Sequence, residues 1–201
     1  MNFLIDLYIV MHLLLGAPLD TLVSSEYGLP RWYDPELQET ANSAFLEMKE
    51  AAILDDVKLE IFSGYRSYTY QHEVFQRESN LRPGSAGFYL ARPGHSEHQL
   101  GTAFDVAWPG LRVDSKDPRN LRVFEWLEEH AHTFGFTLSY PLRMITDWPY
   151  DNRIYPLDGE FIYEPWHIRY VGEDLASEMV EVGYLDPWSQ VFPQDFYQVW
   201  P

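Results

Sequence analysis

Three short stretches of this 201-residue sequence concentrate residue types that do chemistry. The first runs Ser96-Glu97-His98-Gln99-Leu100-Gly101-Thr102-Ala103-Phe104-Asp105. A histidine leaves a glycine-containing turn, and a carboxylate follows on a strand-like run. A hydrolytic zinc ion uses three protein ligands and keeps a fourth position open for water. A neutral imidazole and a carboxylate can supply two of the three. The same spacing also fits a polar turn whose His98 hydrogen-bonds the neighbouring strand. The second stretch, Glu164-Pro165-Trp166-His167, carries another imidazole three residues from a carboxylate. Pro165 opposes a helix through Glu164, and residues three apart in an extended chain face opposite sides. Glu164 and His167 therefore meet at one site only if the chain bends near Pro165; otherwise they form a tryptophan-bearing turn with a surface acid. The third stretch is Ser63-Gly64-Tyr65-Arg66-Ser67, followed by Gln71. Arg66 lies just past an apolar strand, where a guanidinium can point into a cleft and stabilise a tetrahedral oxyanion. Its plain alternative is pairing with one of many surface acids.

Positioning these groups requires a scaffold. The sequence contains no internal repeat, low-complexity tract or Ser/Gly linker, and reads as one domain. Asp34-Pro35-Glu36 predicts a helix start, with a cap, a first-position proline and an acid in the first turn. That helix runs to about Ala52, with Ala41, Phe45, Met48 and Ala52 on one face. Residues 57–62 alternate as a strand, Ser67 to about Glu78 reads as a helix, and 80–94 is a loop punctuated by Gly and Pro. Residues 102–108 predict a second strand. Asp117-Pro118 caps a helix reaching about Thr133, with Leu121, Phe124, Leu127 and Ala131 inward. Residues 136–139 form a short strand, and 140–157 is a long aromatic loop of the kind that often serves as a lid. Residues 160–163 and 166–171 are strand-like, and Glu173-Asp174 opens a helix to about Val182. Strands and helices do not alternate in βαβ units, so the fold class is α+β, a small sheet backed by helices.

Composition narrows the partners. The formal charge is −17 and the 14 Lys and Arg are scattered, which excludes the clustered cations that nucleic acid binding needs. With no cysteine, a zinc site must be built from histidines and carboxylates. Residues 3–15, FLIDLYIVMHLLL, are apolar but interrupted by Asp6 and His12. They fall short of the roughly 20 apolar residues of a membrane span. No Lys or Arg precedes Arg31, which fits a secretory signal poorly. Residues 1–27 are expected to form an apolar segment packed as a helix on the domain, with an atypical export signal or a partner-binding helix as alternatives. Residues 28–201 are expected to form the domain that carries the three clusters.

Taken together and in this order, the three clusters resemble the D-alanyl-D-alanine carboxypeptidase family of zinc peptidases, the VanY-like branch. The resemblance rests on SGYRSYTYQHEVF at 63–75, PGHSEHQLGTAFDVAW at 93–108, FGFTLSYP at 134–141 and EPWHIRYVG at 164–172. It implies an α+β fold with a small antiparallel sheet flanked by helices and the zinc site on the sheet. It implies one Zn²⁺ held by His98, Asp105 and His167, with Glu164 as general base and Arg66 stabilising the oxyanion. Ser96 and Gln71 match positions that contact the substrate's terminal groups, and Trp166 matches a residue that shapes the pocket. Arg92 is a further candidate for the substrate carboxylate. The implied substrate is a peptidoglycan stem peptide, or a small precursor, ending in D-Ala-D-Ala, cut by a monomer.

Rival readings share the motif. An L,D-carboxypeptidase or a peptidoglycan endopeptidase differs only in the pocket walls. A non-catalytic zinc-binding module has no need of both Glu164 and Arg66. The resemblance implies action in the periplasm or cell envelope, while the poor export signal leaves the cytoplasm open.

Overall fold

A computed structural model describes residues 19–142, 163–186 and 193–198. Four short strands, β1 (Glu60–Ser63), β2 (Ala103–Ala107), β3 (Phe136–Leu138) and β4 (His167–Tyr170), form one antiparallel sheet in the order β1-β2-β4-β3. Directly paired residues share a face of the sheet. Asp105 pairs with His167 and Ala103 with Arg169, so these four residues look to one side. Phe104 pairs with Ile168 and looks to the other.

That second face is the main core. Phe104, Val106, Ile168, Phe136 and Leu138 pack beneath helix α1 (Glu39–Leu54) and helix α3 (Pro118–His130). Helix α1 contributes Ala41, Phe45, Met48 and Ala52, the face read from their spacing. Helix α3 contributes Val123, Phe124, Trp126 and Leu127. Among the described residues two further α-helices, α2 (Tyr68–Leu81) and α4 (Glu173–Glu181), flank the sheet. Ser67 caps α2 by accepting from the Tyr70 N–H, and Asp117 caps α3 by accepting from the Arg119 N–H. The expected α+β class and small antiparallel sheet are therefore observed.

Three expectations are corrected. Helix α1 begins at Glu39 rather than beside Asp34, because Glu36 adopts φ +60°, outside the helical region. Residues 36–38 are instead drawn to the turn carrying His98: Gln38 donates its backbone N–H to the Gly101 carbonyl and its side-chain amide to the Leu100 carbonyl, each at 3.0 Å. Leu121 is exposed, and Asn120 takes the inward place. The Asn120 amide donates to the Arg112 carbonyl and accepts from the Trp108 N–H, which ties the start of α3 to the end of β2. The strand expected from residue 57 begins at Glu60, although Val57 and Leu59 are already buried.

The expected packed helix within residues 1–27, the lid at 140–157 and the strand at 160–163 lie largely outside the described residues. Among the described residues no helix is long and apolar enough to cross a membrane.

Candidate active site

The sheet face opposite the main core carries the charged residues. A single 3₁₀ turn, Glu97–Leu100, delivers His98 beside β2, and Gly101 ends it at φ +76°. A Cβ at Gly101 would lie 2.0 Å from the Glu36 carbonyl oxygen, so the close approach requires glycine. β2 supplies Asp105 and β4 supplies His167 from across the ladder. The bend expected at Pro165 is a tight turn, in which the His167 N–H donates to the Glu164 carbonyl at 3.0 Å. It allows Glu164 and His167 to line one cleft.

His98, Asp105 and His167 each offer a ligand atom, all within 4.8 Å of one another. Their hydrogen bonding decides which atoms these are. His98 Nδ1 lies 2.7 Å from the Gly64 carbonyl, which only accepts, so Nδ1 carries the hydrogen. Burial, reinforced by Arg66, depresses the His98 pKa to about 4 and keeps the ring neutral. Its Nε2 lone pair then faces Asp105 Oδ2 at 3.3 Å, buried and without a hydrogen-bond partner. A lone pair set against a carboxylate calls for a cation between them, so the donor set fits a metal ion. The atoms are the nitrogen and oxygen donors that zinc accepts in the absence of cysteine.

His167 differs from His98 because both its nitrogens face carboxylates: Nδ1 lies 3.0 Å from Asp105 Oδ1 and Nε2 3.0 Å from Glu97 Oε2. Burial disfavours the charged ring, but these two hydrogen bonds outweigh it and raise the pKa to about 10 in the metal-free protein. Asp105 is held well below the ordinary carboxylate range, since the two histidines overcome its burial.

Around the group lies a cleft lined by Arg66, Ser96, Tyr140 and Glu164, with Tyr89, Leu90 and Ala91 forming one wall. Arg66 donates its backbone N–H to the His98 carbonyl at 3.2 Å, and its guanidinium reaches to 3.8 Å from Asp105 Oδ2. Its Nε is buried without a hydrogen-bond partner. Burial pushes the Glu164 carboxyl up to about 8; nearby Asp105 adds to this, and His167 and Arg66 oppose it.

Several expected residues sit elsewhere. Gln71 is fully buried and does not line the cleft; it donates to the Ala91 carbonyl at 2.7 Å and so supports the wall from behind. Trp166 has the strand parity of Ile168, faces the core and packs on Phe124 with ring centroids 6.0 Å apart. Arg92 donates to the Ser25 carbonyl instead of reaching the cleft. Three residues gain a place that sequence reasoning had not assigned. Glu97 and Tyr140 line the cleft, with the Tyr140 ring centroid 5.0 Å from that of His167, and Arg169 pairs with Glu97 at 2.9 Å. Their signal was positional. Glu97 adjoins a candidate ligand, and Arg169 lies two residues beyond another on the same strand face.

Comparison with known proteins points to a family. The sequence profile of the family described as VanY, D-alanyl-D-alanine carboxypeptidase, matches residues 34–173. A D-alanyl-D-alanine carboxypeptidase of Enterococcus faecalis is 29% identical over 181 residues, covering 81% of this chain and 62% of the relative. The chain thus spans about three fifths of that protein's length. The vancomycin-resistance D,D-pentapeptidase VanY from a VanB-type resistance cassette, solved in complex with Zn(II), superposes with a TM-score of 0.65. Identity is 25%, covering 87% of this chain and 96% of that one. The LdcB LD-carboxypeptidase, solved to reveal peptidoglycan recognition, superposes with a TM-score of 0.64 at 28% identity, covering 85% and 88%.

Proposed function

Given that this chain belongs to the VanY family of D-alanyl-D-alanine carboxypeptidases, we propose that it is a zinc-dependent peptidase removing the terminal D-alanine from D-Ala-D-Ala-ended peptidoglycan stem peptides or their precursors. The observation that carries this reading is the convergence of an unpartnered imidazole lone pair, a carboxylate and a second imidazole beside one carboxyl poised near neutrality.

His98 through Nε2, Asp105, and His167 through Nδ1 would hold one Zn²⁺, which when bound supplies Lewis-acid activation of water and of the scissile carbonyl. Glu164 acts as general base. Burial pushes this carboxyl up to about 8 in the metal-free protein; a bound cation beside it would favour the carboxylate form, which accepts the attacking water's proton and returns it to the leaving amine. Arg66 lies across the cleft, where its guanidinium donates to the developing oxyanion. Ser96, buried at the start of the 3₁₀ turn and lining the cleft, contacts the substrate's terminal group. Gln71 acts indirectly, by fixing the Ala91 wall. An envelope peptide as substrate favours action in the periplasm or cell envelope, and a soluble precursor as substrate favours the cytoplasm.

One observation favours a second reading. The LdcB LD-carboxypeptidase superposes about as closely as the VanY D,D-pentapeptidase does. Zinc-loaded protein is therefore to be incubated with a D-Ala-D-Ala-ended pentapeptide and, separately, with the matching tetrapeptide, and the products weighed by mass spectrometry. Loss of one alanine from the pentapeptide alone supports the D,D reading, and loss from the tetrapeptide alone supports the L,D reading. No cleavage of either overturns the peptidase assignment.

A further inference from the structure

Behind the cleft, away from solvent, a chain of buried charges leads out of the site. Glu97 is 3% exposed and Arg169 0%. One Glu97 oxygen, Oε2, accepts from His167 Nε2 at 3.0 Å and from the Ser139 hydroxyl at 2.5 Å. The other, Oε1, accepts from Arg169 at 2.9 Å. The second terminal nitrogen of Arg169 donates to the carbonyls of Leu19 and Thr21, each at 2.7 Å, and its guanidinium stacks 4.2 Å from the Tyr197 ring centroid. Those segments are joined to each other: Thr21 pairs with Gln198, the Leu22 N–H donates to the Gln198 carbonyl, and the Gln198 N–H donates to the Asp20 carbonyl.

We infer that Glu97 and Arg169 are positioning residues for the metal centre, forming a buried relay that ties the two terminal segments to Nε2 of His167 and thereby fixes Nδ1 toward Asp105 and His98. The inference rests on the metal-site reading above and adds to it two residues outside the three convergent ligands.

Geometry and energetics both support a positioning role. An imidazole has two competent nitrogens, and which one faces a metal is set by the hydrogen bond that the other makes. Here Nε2–H is committed to Glu97, so the ring can neither flip nor swing without breaking a buried hydrogen bond to a charged acceptor. A role in stability alone is a poor explanation. Burying an Arg–Glu pair sacrifices the hydration of both charges, and a well-packed apolar pair of similar volume is often as stable or more so. Arg169 in turn holds Glu97 on the site side, and its three remaining anchors all lie outside the catalytic cluster.

The test is zinc affinity rather than turnover, measured by competition with a chromogenic chelator on the full chain. Glu97→Gln keeps the shape of the side chain and loses its charge; it is expected to weaken zinc binding about 10- to 100-fold, the range for outer partners of metal-bound histidine. Arg169→Met is expected to weaken binding as well, yet to add little in the Glu97→Gln background, because it acts through the same carboxylate. The Co²⁺-substituted Glu97→Gln protein should also show a shifted visible spectrum, since His167 Nε2–H loses its charged acceptor. Should either buried-charge variant fail to fold, Ser139→Ala removes only the hydroxyl from Glu97 and is expected to weaken zinc binding measurably in a folded protein. Wild-type zinc affinity in a folded Glu97→Gln protein, or in Ser139→Ala where that is the folded variant, overturns the inference. Additive effects of Glu97→Gln and Arg169→Met overturn the relay. A wild-type chain that binds no zinc sinks instead the metal-site reading, and with it this inference.

Discussion

Replacing Glu164 by glutamine separates what this carboxyl does in catalysis from what it does to the fold. The residue is held by its own backbone: its N–H donates to the Tyr140 carbonyl at 3.2 Å, and its carbonyl accepts from the His167 N–H at 3.0 Å. Neither bond involves the carboxyl, so the Glu164→Gln side chain would keep the same place. Losing the general base is expected to lower kcat about 10²- to 10⁴-fold, or about 3–5.5 kcal/mol in the barrier. Zinc affinity should hardly change, since Glu164 is not among the three convergent ligands. Stability should move in the opposite direction to activity. The folded carboxyl is raised from 4.5 to about 8, chiefly by burial. Between those values the folded state holds a proton that the unfolded chain has released, so in metal-free protein stability falls as pH rises through this window. The full gap caps the destabilisation at about 5 kcal/mol above pH 8, at 1.36 kcal/mol per pH unit. Even a third of that cap raises the Tm of metal-free Glu164→Gln by roughly 3–7 °C at pH 8.5 for a chain of this size. At pH 4, where both states of the wild type are largely protonated, the two proteins should melt together. Differential scanning calorimetry across pH, with steady-state kinetics on the zinc-loaded pair, reads both effects. Turnover within tenfold of wild type would refute the base assignment. A Tm difference that does not grow with pH would refute the electrostatic argument.

Arg66→Met should lower kcat about 10²- to 10³-fold with a smaller change in KM, the pattern of a donor used mainly in the transition state; equal turnover in steady-state assays would remove Arg66 from the mechanism. Gly101→Ala should cost more than about 2 kcal/mol, because it joins left-handed strain to a Cβ placed 2.0 Å from the Glu36 carbonyl oxygen; chemical denaturation reads the loss, and a neutral result would mean the turn yields freely. Zinc binding at pH 7.5 should release at least one proton, because His167 keeps both N–H groups on carboxylates up to about pH 10 until a metal takes Nδ1. Calorimetric heats that do not vary with the buffer's ionisation enthalpy would contradict that picture. Leu127→Ala should cost about 2–5 kcal/mol, and Leu121→Ser about 0.5 kcal/mol or less; comparable losses in the two urea midpoints would contradict the observed orientation of α3.

Local chemistry and periodicity made much of this protein legible from its sequence. The faces of α1 and most of α3 follow from apolar residues spaced at the helical repeat. The need for a bend at Pro165 follows from the two-residue alternation of a strand, and the turn between Glu164 and His167 meets it. Residue types and order singled out His98, Asp105, His167, Glu164 and Arg66, which the fold brings around one cleft or its floor.

What stayed hidden depends on contacts between residues far apart in the chain. The start of α1 is decided by Gln38 and Glu36 docking on a turn more than 60 residues away. Asn120 displaces Leu121 from the interior because its partners lie at the end of β2 and in the loop that follows. Trp166 turns to the core and Arg169 to the site because of strand register, and a shift of one residue would exchange them. Beyond its place next to His98, Glu97 gives no sign in the sequence of its role, since its partners lie 42, 70 and 72 residues away. Residue types and spacing determine which groups can bind a metal and move a proton. Only the folded chain decides which nitrogen of each histidine faces the site, because that choice belongs to the hydrogen bond on the ring's other side.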